Sequence, residues 1–140
     1  MTRSLTSIYY IEDIDSLRFA LSLHEYDVLN LQPHFPGYPL FCFIAKLFYL
    51  IIGNKGLTFS VIGGISVFFC MYYCLKISSI SPKSKVGFFI IQIILLNPLF
   101  WLMSNRYMPD LLGLAVVLGA LYYLVARKRL FLGFFIFGLL

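Results

Sequence analysis

The chain has 140 residues, 61% of them hydrophobic and 12% charged, with a mean hydropathy of +0.90 and a formal net charge of +5. A soluble domain carries about 45–50% apolar and about 25% charged residues, so a water-facing globule cannot absorb this excess and a bilayer is implied. The positive balance does not point to nucleic acid, because the basic residues flank apolar runs, where the positive-inside rule accounts for them.

Met1–Tyr10 contains Arg3 but no apolar run of the kind a signal peptide needs. The next stretch, Asp13–Pro39, holds four of the six carboxylates and both histidines. Within it, Asp13–Glu25 reads as an amphipathic helix. At about 100° per residue, Asp15, Arg18, Ser22 and Glu25 share one quarter of the wheel. Such a helix is too polar to span and is expected to lie in the interface, its carboxylates toward water, with Asp13 or Asp15 as N-cap. Tyr26–Pro39 reads as a loop, because Pro33, Pro36, Gly37 and Pro39 forbid a regular helix.

Tyr38–Gly53 is apolar but short, reaching about 24 Å as a helix. Lys46 at its middle makes a central bilayer position costly, so an interfacial or partly embedded helix is favoured over a span. Leu57–Leu75 has 19 residues without a charge, enough to cross. Lys76, Lys83 and Lys85 follow. Val86–Met103 is the next predicted span, with Gln92 and Asn97–Pro98 facing protein. The turn SNRYMPD leads to a third, Leu111–Ala126, with Ala115 and Gly119 as a close-packing pair. Arg127, Lys128 and Arg129 follow, and Leu130–Leu140 begins a fourth. The predicted fold is all-α: multi-pass transmembrane helices with one or two interfacial amphipathic helices. Residues 1–56 form an external acidic loop and residues 57–140 the transmembrane part. The three cysteines lie in apolar segments without metal spacing and read as packing residues.

Basic loops set the orientation. The lysine loop and the Arg127–Arg129 cluster belong on the cytoplasmic side, which places the SNRYMPD turn and the acidic segment together outside. That face gathers Asp13, Asp15, Arg18, His34, Arg106 and Asp110. Carboxylates with a histidine can bind a divalent metal, a carboxylate can accept a proton from an attacking hydroxyl, and arginines suit phosphate. The plain alternative is a solvated interfacial helix with a cap and a proline loop.

The order "IDSLRFALSL", "QPHFPGYPLF", a span, a basic loop, a span and "NRYMPD" resembles the N-terminal part of integral-membrane GT-C glycosyltransferases. It is similar to the bacterial relatives of the protein O-mannosyltransferases and aminoarabinose transferases. The resemblance implies transfer of a sugar from a polyprenyl-phosphate donor to an acceptor at the outer face of a bacterial plasma membrane, with a divalent metal as possible cofactor. It implies Asp15 as catalytic base, with Asp13 extending an acid pair. It also implies His34 as metal or donor-phosphate contact, Asp110 as metal ligand, and Arg18 and Arg106 as phosphate contacts. For each a structural role stands beside the functional one: caps for Asp13, Asp15 and Asp110, a backbone bond for His34, ion pairs for the arginines. The family's first crossing and its later spans are missing, so the chain is expected to be a fragment or one part of a split enzyme. A small non-catalytic multi-pass protein or partner subunit is the alternative.

Overall fold

A computed structural model describes residues 7–139. It is all-α, with no strand among the described residues. The elements are α1 (Ile14–Ser22), α2 (Pro39–Ile52), α3 (Lys55–Ile77), α4 (Lys85–Leu96), α5 (Pro98–Met103), α6 (Asp110–Leu121), a π-helical turn (Tyr122–Ala126) and α7 (Leu130–Phe137). Most of the reading of Met1–Tyr10, Arg3 included, lies outside the described residues, as does Leu140.

Local chemistry sets the helix ends. Asp13, not Asp15, caps α1: its Oδ1 accepts from the Ser16 amide at 2.7 Å. α2 starts on Pro39 and stops at Gly53, whose φ of +70° a side chain would resist. Asn54 then caps α3, its Oδ1 accepting from Leu57 N at 3.1 Å. The expected span Val86–Met103 is interrupted. Pro98 has no amide hydrogen, so α4 ends, and Asn97 turns extended and caps α5 through the Leu99 amide at 2.9 Å. The run Leu111–Ala126 also departs from regular helix, relaxing into the π turn after Leu121. Only α3, at 23 residues, is long and apolar enough by itself to cross a membrane among the described residues.

α3 and α6 form the spine and run in the same sense. Contacts advance along both: Tyr107 stacks on Phe59, Cys70 Sγ donates to Leu111 O at 3.9 Å, and Tyr73 meets Gly119 and the Tyr122 ring. The predicted small pair is used here, since Ala115 and Gly119 are both buried and a Cβ on Gly119 would press on the Tyr73 ring at 3.1 Å. Gly63 plays the same part for the backbone of Ser104, which runs directly over it.

The core sits at the end where α3 begins. Tyr107, Phe59, Phe41 and Phe19 form a continuous chain of rings, with centroids 4.5, 5.9 and 5.4 Å apart in turn. Each is at most 4% exposed. This column joins α1, α2, α3 and the 104–109 turn, so residues on both sides of position 56 share one core.

One expectation for α1 is corrected. Ser22 does not face water: it is buried, donating to Phe19 O at 2.8 Å and lying 3.5 Å from Cys42 Sγ. The exposed surface of α1 includes Ile14, Leu17 and Leu21, an apolar stripe at helical spacing. The end of α1 tracks α2 step by step: Phe19 meets Phe41, Ser22 meets Cys42, and His24 meets both Lys46 and Tyr49. Lys46 is exposed, its Nζ 3.4 Å from His24 O.

Candidate functional site

The acidic segment and the SNRYMPD turn come together, although more than 90 positions separate them in the chain. Arg106 joins them: its Nη2 donates to Asp13 Oδ2 at 2.7 Å and its Nε to Glu12 Oε2 at 3.2 Å. Tyr107 Oη donates to Ile8 O at 2.6 Å beside it. Gly56 leaves room for that same carbonyl, since a Cβ there would sit 2.6 Å from Ile8 O.

This accounts for two of the predicted residues. Asp13 spends one oxygen on the helix cap and the other on Arg106. The Ser16 amide, ahead of Arg106, holds its carboxyl below the ordinary value of 3.8. Asp13 and Arg106 are therefore structural partners, and Glu12, which sequence patterning did not single out, completes the cluster. Its only sequence signal was adjacency to Asp13.

Asp15, half-exposed in the first turn of α1, is placed differently. Arg18 Nη1 donates to Asp15 Oδ1 at 3.2 Å, one turn along the helix. His34 Nδ1 lies 3.5 Å from the same oxygen, beyond hydrogen-bond length. That nitrogen is buried and has no hydrogen-bond partner among the described residues. The proline-rich loop brings it there, with turns closed by Gly37 N donating to His34 O at 2.9 Å and Tyr26 Oη donating to Gly37 O at 3.1 Å. Edge-on contacts with Phe19, at 5.3 Å, and Tyr38, at 5.9 Å, hold the imidazole. Among the described residues the expected backbone bond from the His34 side chain is not formed, and ring packing holds the imidazole.

Asp110 is the first residue of α6, not its cap, and it makes no hydrogen bond or ion pair among the described residues. It lines an apolar groove of about 310 Å³ between α2 and α6, with Tyr38, Phe41, Leu112 and Val116. Tyr38 thus borders both His34 and the Asp110 groove, a role the sequence did not indicate.

No group of three His, Cys, Asp or Glu side chains is placed to hold a metal among the described residues. Asp15 and His34 supply two ligands at most, whereas a divalent cation takes about four to eight. The donor set does not fit a metal held by this chain alone. What the arrangement offers is a half-exposed carboxylate flanked by a guanidinium and an imidazole, at the rim of the aromatic core. A carboxylate so placed can accept a proton, and the guanidinium suits an approaching phosphate.

Comparison with protein-family models, with curated proteins and with solved structures gave no match.

Proposed function

We propose that the chain is a multi-pass plasma-membrane protein carrying the acid-bearing part of a GT-C-type glycosyltransferase. In this reading α3, the broken α4–α5 pair and α6 with its π turn make three crossings. The shared direction of α3 and α6 supports it, because two outward-to-inward crossings with one return between them need that geometry. Lys76 and Arg127 line a common cleft at the far end of these helices, in keeping with one basic, cytoplasmic side. α2 lies beside the charged helix α1 from Tyr38 to Tyr49, which favours an interfacial position for both.

The single observation that carries the enzymatic reading is the meeting of Asp15, Arg18 and His34 on one edge of the polar end. Asp15 takes the proton from an acceptor hydroxyl. The freed oxygen attacks the anomeric carbon of a polyprenyl-phosphate sugar, and the bond to phosphate breaks, its electron pair leaving with the lipid phosphate. Arg18 balances charge on that leaving group.

The test is transfer of labelled hexose from polyprenyl phosphate by membranes containing the chain, wild type against Asp15→Asn. Loss of a general base costs roughly 10²–10⁴-fold in rate. Equal rates remove Asp15 from the chemistry. A non-catalytic membrane protein is the second reading, favoured by the mutual consumption of Asp13 and Arg106; absence of transfer by folded wild-type chain together with its flanking sequence selects it.

A further inference from the structure

A cleft of about 920 Å³ opens at the end opposite the aromatic core, between α3, the turn after it, α4 and the π turn. One wall is apolar: Phe68, Met71 and Leu75 lie on one face of α3, with Ile91 of α4 across from them. The mouth is cationic. Lys76 sits 5.5 Å over the Tyr72 ring, and Arg127 curls back so that its Nε donates to Tyr122 Oη at 2.7 Å. The π turn sets that return, since Arg127 N donates to Tyr122 O, five residues back, at 3.1 Å.

We propose that this cleft holds an anionic phospholipid of the surrounding bilayer, its phosphate between Lys76 and Arg127 and an acyl chain along Phe68, Met71 and Leu75. A free phosphate would use the cations and leave the apolar wall without purpose. A neutral lipid would use the wall and leave two cations without a counter-charge; no carboxylate lines the cleft. Basic clefts between helix ends are suited to acidic headgroups for this reason. The site rests on the membrane-spanning part of the reading above and is independent of glycosyl transfer, so loss of Asp15-dependent activity leaves it standing.

The full chain, purified in non-ionic detergent, is exposed to mixed phosphatidylglycerol and phosphatidylcholine, and retained lipid is counted by native mass spectrometry. Retention of phosphatidylglycerol is expected, falling about tenfold or more in Lys76→Gln/Arg127→Gln. The charge-keeping Lys76→Arg is expected to retain it, and so is Lys83→Gln/Lys85→Gln, which removes two cations outside the cleft. Circular dichroism of each variant separates lost binding from lost folding. Equal retention of phosphatidylcholine, equal loss in both Gln pairs, or full displacement by inorganic phosphate overturns the proposal.

Discussion

The two ends of the molecule treat apolar side chains in opposite ways. Around α1, α2 and the start of α3, the large rings are inside: Phe19, Phe41, Phe59 and Tyr107 are nearly inaccessible. On α4 and α7, which are more uniformly apolar, the large side chains point outward; Phe89, Ile93, Phe131 and Phe134 are 63–86% exposed, and each helix buries only a glycine. Hydrophobic content therefore does not locate the core here. The packed end is the one where carboxylates and cations pair around the rings, and there water makes burial favourable. The open helices present the surface that hydrocarbon would solvate, in keeping with the proposed membrane position.

Substitutions that should separate the two regions most strongly are large-to-small changes in each. Phe59→Ala removes the centre of the ring column and is expected to cost about 3–5 kcal/mol, read as a fall in thermal midpoint in detergent. Gly63→Val should be of similar severity, because a side chain there collides with the Ser104 backbone rather than with a movable group. Arg106→Met is next: it frees Asp13 and Glu12 and should cost about 1 kcal/mol, less at high salt.

The acid limb gives a comparable effect. Asp13 has its carboxyl held below its ordinary value in the fold, so its charged form stabilises the folded state. That contribution is complete above the unfolded value of 3.8 and disappears as pH falls through the lower folded value. Asp13→Asn keeps a capping oxygen, and is expected to flatten the loss of stability on acidification while changing the neutral-pH midpoint by about 1 kcal/mol or less. Smallest of all, Phe131→Ala should fall within about 0.5 kcal/mol in detergent. A cost at Phe131 equal to that at Phe59 would erase the contrast between the regions.

Much of this layout was legible in the sequence. Asp13 before an apolar-periodic run marked the start of α1, Gly53 marked the end of α2, and the lysine and arginine clusters marked one end. Asn97–Pro98 was visible as an anomaly, though read as part of a continuous span. The orientation of α1 was not legible. A helix with apolar side chains on more than one face has more than one direction to bury, and periodicity cannot say which is inside; Ser22 went in and Ile14, Leu17 and Leu21 stayed out. The pairing of Arg106 with Glu12 and Asp13 was equally hidden, because it depends on where a distant turn lands and not on local spacing. His34 beside Asp15 was anticipated as a shared face, but its partner is a ring-lined pocket rather than a third ligand.

The π turn lets the chain carry an extra residue without parting Arg127 from Tyr122. It accommodates one residue more per turn than a regular α-helix, so deleting a single residue, such as Leu124, lets the segment rewind as ordinary helix. Each residue of a helix subtends about 100°. The deletion would shorten the interval from Tyr122 to Arg127 from five residues to the four of an ordinary helix, so that Arg127 would still bond back to the Tyr122 carbonyl and stay on its side of the helix. The stretch from Tyr122 to Ala126 thus takes up one residue of chain while the basic terminus stays anchored to Tyr122.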